Sequence, residues 1–347
     1  MSGNKIYTFD LELNWDLIKQ LSELDTFGGS WSAIENRERQ GLRELKSIAT
    51  VRSVGASTRI EGSKITDDEV ELLISHLDVA KLEERDQQEV AGYFEALDTI
   101  AEFYGDFDIR ESHIKQIHQV LMKHSIKDAW HKGNYKQHSN VVLASHPDGS
   151  EQVVFQTTNP GIETEEAMRN LIAWHNTDTE THPIIRTALF VYDLLSIHPF
   201  QDGNGRLSRL LTTLLLLRQG YSWIQYVSFE HEIESRKKEY YQVLIECQRH
   251  RPGENINPWV NFFLDCLNNI QHQLMKKIEY KGNAGSMSIK EKKIYSYIES
   301  YPGSQSGTIA GKLGIPLPTL KKILAAMVTK NIILKHGIGK GTHYTTV

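Results

Sequence analysis

The stretch 198-HPFQDGNGRLSR-209 decides how the rest of the chain is organised. Before it, 182-HPIIRTALFVYDLLSI-197 places apolar residues at helical spacing. After it, 205-GRLSRLLTTLLLLRQG-220 does the same and ends at Gly220, a typical helix terminator. The spacing predicts two apolar helices joined by a non-helical loop, 198-HPFQDGN-204.

This loop has the composition of an anion site. Gly203 and Gly205 allow backbone N–H groups to approach a ligand, and the first amides of the next helix point the same way. Arg206 and Arg209 are three residues apart, so they share one helix face. Two guanidinium groups beside such amides suit a polyphosphate.

Two further residues of the loop could carry chemistry. Asp202 offers a hard oxygen ligand, and Mg²⁺ is commonly held by one or two carboxylates together with substrate phosphates. His198 is the one group in the loop that can take a proton near neutral pH.

Each of these residues also has an ordinary structural interpretation. A histidine that ends an apolar helix is commonly structural, DGNG is commonly a turn, and two helical arginines commonly form a solvated face. The stretch is also no Rossmann fingerprint, because Ser208 stands where the third glycine would be, and it is no P-loop. A base, a carboxylate, two glycines and two arginines within twelve residues nevertheless favour a nucleotide site.

The stretch resembles the signature of the Fic-domain family, H-x-F-x-[D/E]-G-N-G-R-x-x-R, at every specified position. Most Fic proteins transfer AMP from ATP to a Ser, Thr or Tyr hydroxyl of a protein. The resemblance implies that His198 deprotonates the acceptor, that Asp202 holds Mg²⁺ or Mn²⁺, and that Phe200 is buried as the anchor of the loop. It implies a nucleotide site at Gly203, Asn204, Gly205, Arg206, Leu207, Ser208 and Arg209, with Arg209 at the γ-phosphate.

A second motif lies near the N-terminus. The segment 57-STRIEG-62 resembles [S/T]-x-x-x-E-[G/N], the inhibitory signature of Fic proteins whose regulatory helix precedes the catalytic core. That resemblance implies that Glu61, with Ser57 in the same motif, pairs with Arg209 and occupies the γ-phosphate position. A surface glutamate before a helix-ending glycine is the ordinary alternative.

Two later segments resemble other parts of the Fic site. The β-rich runs 139–145 and 151–158 predict a hairpin, with a turn at 146–149. Fic domains carry such a hairpin, called the flap, and the resemblance implies that a protein substrate docks on 133–160. Its entry, 133-GNYK-136, departs from the usual G-x-[YF]-R because Lys136 replaces arginine. Adenine contacts are implied for Tyr240, Tyr241 and Gln248.

The C-terminal part has a different composition. Residues 286–347 contain nine lysines and two glutamates, a net charge of +7, whereas the whole chain carries −5. Helical patterns at 289–300, 306–314 and 317–331, followed by strand-like residues, resemble a winged helix-turn-helix domain. Such a domain could bind DNA through its lysines or could dock a protein. The lysines expected at phosphates are Lys321, Lys322, Lys330, Lys335 and Lys340.

Composition narrows the setting of the protein. Two cysteines, Cys247 and Cys266, are too few for a disulfide framework, so a reducing cytoplasm is expected. No basic, apolar leader or membrane-length apolar run is visible, so no membrane partner is expected. His113, His118, His124 and His131 do not have a known zinc spacing and are expected on helix surfaces.

The sequence therefore predicts a mainly α protein with a Fic helical bundle, a small β-hairpin flap and a C-terminal winged-helix domain. The expected divisions are an N-terminal helical region at 1–110, with the inhibitory helix at about 40–62, a Fic core at 111–280 and the winged helix at 281–347. A short helix at 14–25 is expected to break at Gly28-Gly29, and 230–250 is expected to be one helix.

The expected function is that of an autoinhibited protein adenylyltransferase that uses ATP and also modifies itself, with a homodimer among its candidate states. UMP, phosphocholine or phosphate transfer remain alternatives, as does removal of AMP with Glu61 orienting water. A different class of function is an ATP-sensing, DNA-binding transcriptional regulator.

Overall fold

The computed structural model describes residues 4–7, 9–76, 82, 84–145, 151–283, 288–330 and 332–346. The described chain is mainly helical, with small two-stranded antiparallel sheets, which confirms the predicted fold class. It divides into two compact units. Unit 1 comprises residues 1–37 and 42–271, and unit 2 comprises residues 38–41 and 272–347, so the division lies before the predicted start of the winged helix at 281.

Unit 1 begins with a two-stranded ribbon, β1 (Asn4–Ile6) and β2 (Phe9–Leu11), followed by α1 (Trp15–Arg37). The predicted break at Gly28-Gly29 is wrong, because α1 passes through both glycines. The reason is tertiary packing: a Cβ on Gly28 would lie 3.3 Å from the Tyr221 ring, and Trp31, one turn later, is 1% exposed. Gly28 therefore provides close approach between elements rather than a helix end.

The helix with the inhibitory motif is α2 (Arg39–Ile60). It ends at the predicted place, where Gly62 adopts a φ of 107°. The next helix is α3 (Asp67–Ser75). The sequence 66-TDDE-69 has the T-x-x-E spacing that predicts a capping box, and Thr66 and Glu69 form it. This cap fixes where the chain re-enters a helix after Glu61.

The centre of unit 1 is the helical hairpin that the opening stretch predicts. Helix α7 (Pro183–Ile197) and helix α8 (Asn204–Arg218) are buried along nearly their whole length. Such all-round apolar helices require partners on every side. Partners in unit 1 include α4 (Arg85–Phe103), α5 (Glu111–Leu121) and α6 (Ile162–Thr177).

The predicted hairpin is present as β3 (Val141–Ser145) and β4 (Glu151–Gln156), paired antiparallel with a register shift between Val142 and Leu143. The predicted turn at 146–149 lies outside the described residues. An isolated bridge between Tyr135 and Phe200 connects the chain before β3 to the 198–204 loop.

The predicted single helix at 230–250 is wrong. The chain forms a 3-10 turn (Ser222–Tyr226), α9 (Phe229–Ser235) and α10 (Lys237–Gln248), with a break at Arg236. At Arg236 φ is −112° and ψ is 25°, outside the helical range, and its guanidinium lies 4.7 Å from the Phe262 ring and 3.9 Å from Asp265, so contacts distant in sequence accompany the break. Helix α11 (Asn257–Asn283) closes the unit and continues into unit 2.

Unit 2 contains α12 (Ile289–Ser300), α13 (Ser306–Leu313) and α14 (Leu317–Thr329), then an antiparallel pair, β5 (Ile333–His336) and β6 (His343–Thr346). These elements share one apolar core, which includes Ile294, Ile309, Leu324 and Tyr344. The element order is the one that the sequence predicts for 289–347.

Among the described helices, none combines the length and the apolar character needed to cross a bilayer.

Candidate active site

The loop between α7 and α8 is fixed by its own side chains. Phe200 is 0% exposed, as predicted, and its ring stacks on His118 with centroids 3.8 Å apart. Asn204 clips the loop shut, since its Oδ1 accepts from the Phe200 N–H at 2.9 Å and its Nδ2 donates to the Phe200 carbonyl at 2.8 Å. The Asn204 side chain is thus committed to the loop, which leaves its backbone for the predicted nucleotide contact.

His198 occupies the first position of the loop with a left-handed φ of 53°. This conformation is uncommon for residues other than glycine and is held by the surrounding contacts. Nδ1 lies 3.2 Å from the Leu195 carbonyl, which can only accept, so Nδ1 carries the proton and Nε2 is left as an acceptor. Burial lowers the pKa of His198 to about 4, so the ring is neutral at pH 7 and able to take a proton.

Asp202 is the accessible carboxylate of the loop, with 39% of its side chain exposed. Oδ1 accepts from the Gly203 N–H at 2.5 Å and lies 3.4 Å from an Arg206 nitrogen. Burial raises the pKa of Asp202, but Arg206, the Gly203 N–H and Arg85 outweigh it, and the net shift is downward. Asp202 is therefore ionised at neutral pH.

Arg206 belongs to a closed ring of four charges. Its NH1 lies 3.4 Å from Glu89 and its NH2 lies 3.4 Å from Asp202, while Arg85 contacts the same two carboxylates at 2.7 and 3.4 Å. The Arg206 side chain is 3% exposed, and its buried Nε makes no hydrogen bond among the described residues. The ring thus holds Arg206 in place through long contacts only.

Arg209, one turn further along α8, is held more tightly. Its Nε donates to Ser57 Oγ at 2.9 Å, and NH2 donates to the Ser57 carbonyl at 3.0 Å and to Glu61 Oε1 at 2.7 Å. Burial alone would lower the pKa of Arg209, but the charge of Glu61 raises it overall. For Glu61, burial raises the pKa of the carboxyl, but the charge and hydrogen bond of Arg209 outweigh burial, so the net shift of this pKa is downward. The pair is fully charged at neutral pH.

Gly205 is where the predicted inhibitory segment meets α8. A Cβ at this position would lie 2.4 Å from Glu61 Oε1 and 3.3 Å from Arg209 NH1. No side chain fits there while Glu61 remains on Arg209. The glycine thus permits the contact with Glu61, while its predicted role in the close approach of a ligand stays a prediction.

Arg59 anchors the end of the helix that presents Glu61. Its Nε and NH2 donate to the two carboxylate oxygens of Glu234 on α9 at 2.6 and 3.0 Å, and its NH1 donates to Asp67 at 2.8 Å. A bidentate arginine–carboxylate pair is directional. The backbone at Glu61 is therefore fixed by contacts that the inhibitory signature does not contain.

The remaining predicted nucleotide residues lie at different depths. Leu207 is 0% exposed in the core, and Ser208 Oγ donates to the Gly205 carbonyl at 2.7 Å, so these two side chains are used within the fold. Tyr240 is 3% exposed, with its ring 5.1 Å from that of Tyr241. Gln248 is 3% exposed and donates to Ser196 Oγ at 3.0 Å. The adenine contacts of these α10 residues stay a prediction.

The sequence missed the role of the histidine at position 118. The expectation of surface histidines is wrong for His118, His124 and His131, whose side chains are buried. The Gly133 N–H donates to His118 Nδ1 at 3.0 Å, so Nε2 carries the proton and donates to the Asp202 carbonyl at 3.0 Å. His118 therefore braces the metal-ligand candidate, a role that only a long-range contact reveals.

A divalent cation fits at Asp202. The carboxylate is ionised, partly exposed and braced from behind by the Gly203 N–H. No group of three or more His, Cys, Asp and Glu side chains is gathered for a metal within the described ranges. The donor set therefore suits a hard cation that takes one protein carboxylate and completes its shell with phosphate oxygens and water, as Mg²⁺ does.

Comparison with known proteins agrees with this geometry. Residues 108–216 match the model of the Fic/DOC family. Two curated relatives are each described as a protein adenylyltransferase Fic. The relative from Drosophila erecta is 28% identical over 76% of this chain and 49% of its own length, and the relative from Drosophila willistoni is 26% identical over 84% of this chain and 57% of its own length. The chain thus spans about half the length of the curated relatives it matches.

A solved structure has a similar fold. A Fic family protein from Desulfovibrio desulfuricans is 22% identical, with a TM-score of 0.62 over 97% of both chains. At this identity the likeness concerns the fold. Together with the family match, the loop and its contacts show that residues 108–216 are a Fic domain.

Proposed function

We propose that this protein is a protein adenylyltransferase that transfers AMP from ATP to a hydroxyl of a Ser, Thr or Tyr side chain. The adenylyltransferase names of the relatives support ATP as the substrate. The observation that carries the proposal is the neutral His198, with an unprotonated Nε2, at the head of a loop that leads into the free amides of α8.

The chemistry follows from positions and charges. Nε2 of His198 takes the proton as the acceptor oxygen bonds to the α-phosphorus, and the bond from that phosphorus to the oxygen bridging to the β-phosphate breaks. AMP stays on the acceptor and pyrophosphate leaves. Such transfers need alignment and charge neutralisation more than covalent help. Arg206 and the α8 amides supply positive charge at the α- and β-phosphates.

Asp202 would hold Mg²⁺ or Mn²⁺, which supplies neutralisation of the phosphate charge when bound. The acceptor would be held on the 133–160 flap, where strand pairing places a hydroxyl near His198 with little demand on its sequence. The protein itself is one acceptor in this proposal.

Autoinhibition is the second part of the proposal. Glu61 is 2.7 Å from Arg209, and Ser57 takes two more of the hydrogen bonds of this arginine. With those donors occupied, Arg209 is not available to a γ-phosphate. A Glu61 carboxylate in that place also repels the phosphate charge.

The test is labelling with ATP that carries a radioactive α-phosphate. Wild-type protein should label itself or lysate proteins weakly, Glu61→Gly should label strongly, and His198→Ala should remove the signal in either background. ATP binding should be measured for each variant by calorimetry. If Glu61→Gly binds ATP but labels no better than wild type, the inhibitory role is wrong. If the label survives His198→Ala, the assignment of the base is wrong.

The same assay separates the other transferred groups. UTP labelled on its α-phosphate and labelled CDP-choline should give far less signal than ATP if AMP is transferred. Release of AMP from labelled product by wild-type protein, and its loss in Glu61→Gly, would instead indicate that Glu61 orients water for the reverse reaction.

We also propose that unit 2 is a winged helix-turn-helix module. Its three helices followed by an antiparallel pair support this, and α14 buries Leu320, Leu324 and Met327 while Lys321 and Lys322 are exposed. Lys330 differs from them, because its Nζ lies 3.1 Å from Glu291. An electrophoretic shift assay with duplex DNA at several salt concentrations decides between DNA and protein as the partner. Sedimentation in the same buffers reports whether the chain forms a homodimer.

A further inference from the structure

The buried lysine at the entry of the hairpin is the feature that the proposed reaction leaves unexplained. Lys136 is 2% exposed, and its Nζ donates to Asn140 Oδ1 at 2.9 Å, to Thr157 Oγ1 at 2.8 Å and to the Ile197 carbonyl at 3.0 Å. All three acceptors are neutral. They use the three donors of an ammonium group.

A buried ammonium that faces neutral acceptors is costly to keep. Burial lowers the pKa of Lys136 to about 8. Part of the cost is offset at the end of α7, where Ile197 is the last helical residue and its carbonyl has no partner within the helix. Positive charge near a helix C-terminus is favourable. A polar or apolar residue would avoid the cost altogether, so the position has a use for the charge.

The three acceptors lie at the three places that must be aligned for transfer. Asn140 immediately precedes β3 and Thr157 immediately follows β4, so the ammonium joins both roots of the hairpin. Ile197 immediately precedes His198. One side chain thus connects the acceptor-holding element to the residue that takes the proton.

Neighbouring hydrogen bonds follow the same line. The Lys136 N–H donates to the Pro199 carbonyl at 2.8 Å, Thr158 Oγ1 donates to the Ile197 carbonyl at 2.8 Å, and Asn140 Nδ2 donates to the Phe200 carbonyl at 2.9 Å. Residues 197, 199 and 200 are therefore each bonded to a hairpin root or to a residue next to the hairpin, on both sides of a histidine with a φ of 53°.

We infer that Lys136 is a positioning residue, which holds the hairpin roots and His198 in one fixed arrangement so that a hydroxyl on the hairpin meets Nε2. This inference rests on the proposed function, because alignment matters only if a hydroxyl is delivered there. The positive charge of Lys136 also disfavours the protonated form of the His198 ring. Misplacement by about 1 Å can cost a reaction about a hundredfold in rate.

The test compares Lys136→Met with Lys136→Arg in the Glu61→Gly background. Methionine keeps the length of the side chain and removes charge and donors, whereas arginine restores both. Lys136→Met should lower kcat for AMP transfer at least about tenfold while the Kd of ATP stays within about threefold, and Lys136→Arg should recover most of the rate. The matched control is Lys132→Met, four residues earlier, whose Nζ donates only to the Lys123 carbonyl among the bonds of the described chain. It should leave kcat unchanged.

A second measurement needs no activity. Histidine-labelled protein is titrated by NMR, and the pKa of His198 should rise above its starting value in Lys136→Met but not in Lys132→Met. If Glu61→Gly transfers nothing while this rise is seen, the proposed function fails and the link between Lys136 and His198 stands. An unchanged His198 titration, an unchanged kcat, or a parallel loss of melting temperature and ATP affinity that arginine does not restore would overturn the inference.

Discussion

The two arginines of α8 lie one turn apart and are held in opposite ways. Arg209 makes bonds of 2.7 to 3.0 Å to Ser57 and Glu61, whereas Arg206 makes contacts of 3.4 Å to Glu89 and Asp202. Both residues are almost fully buried. The two arginines are therefore equally buried. They differ in the strength of the contacts that a ligand would have to replace to reach each guanidinium.

In the proposed function, this difference gives the two arginines different roles. At Arg206 a nucleotide phosphate can add to a ring of long contacts and use the unspent Nε. At Arg209 it must first displace a carboxylate that hydrogen-bonds directly. Charge-assisted bonds of this kind are each about twice as strong as neutral ones. In this proposal Arg209, rather than Arg206, is therefore the residue through which binding is regulated.

The largest expected effect comes from comparing the removal of Glu61, which contacts Arg209, with the removal of Glu89, which contacts Arg206. Glu61→Gln keeps the shape but loses the charge, and we expect it to raise ATP affinity about ten- to a hundredfold, because the pair with Arg209 weakens and the carboxylate that repels the phosphate charge is removed. Glu89→Gln should change ATP affinity less than about threefold, since the contact it removes from Arg206 is a long one of 3.4 Å. Calorimetric titration with ATP and Mg²⁺ measures both. Equal effects of the two variants would show that ATP binding does not distinguish the contacts of Arg206 from those of Arg209.

A smaller effect is expected at Gly205. Because a Cβ on Gly205 would lie 2.4 Å from Glu61 Oε1, Gly205→Ala should displace Glu61 from Arg209 and lower the free energy of unfolding by up to about 1 kcal/mol in the wild type. In a Glu61→Gly background most of that cost should vanish, which urea unfolding of the four proteins in the cycle measures. Gly29→Ala, in α1 with open space around it, is the control and should be neutral or stabilising by up to about 1 kcal/mol. A cost at Gly205 that is the same in both backgrounds would remove Glu61 from the explanation.

The smallest expected effect is the pH dependence of the inhibitory pair. Arg209 lowers the pKa of Glu61 in the folded state, so the stabilisation is fully present above the ordinary carboxyl pKa and is lost as pH falls through the lower, folded value. Wild type should exceed Glu61→Gln in stability at pH 7 and lose that advantage in acid. With 34% of the Glu61 side chain exposed, the difference should be below about 1 kcal/mol. Denaturant unfolding of both proteins across this pH range checks it, and a gap that widens in acid would contradict the assignment.

Much of the fold was visible in local patterns. The helical hairpin, the buried Phe200, the capping box at Thr66 and the β-hairpin were predicted because periodicity, caps and turn residues act over a few positions. The errors at Gly28-Gly29 and at Arg236 have one cause. Both positions have partners distant in sequence, Tyr221 for Gly28 and Phe262 and Asp265 for Arg236, whose contacts outweigh local helix propensity.

The candidate site divides in the same way. Its loop residues were found from the sequence because they are contiguous, and the family signature added the partner of Arg209, which is 148 residues away. Arg85, Glu89 and His118 were not found. An i,i+4 pair of arginine and glutamate has the pattern of a solvated helix face, and a single histidine in a helix has no distinctive signal.

The sequence by itself determined a polyphosphate-suited loop between two apolar helices, with a base and a carboxylate in reach, since all of its parts lie within twelve residues. Only the tertiary structure decided which charges face that loop. Elements that meet through packing decide the different contacts of Arg206 and Arg209. They also decide that the Lys136 ammonium is buried next to the residues around His198. Spacing along a chain carries no information about those meetings, because burial of apolar faces, rather than the polar groups themselves, brings the elements together.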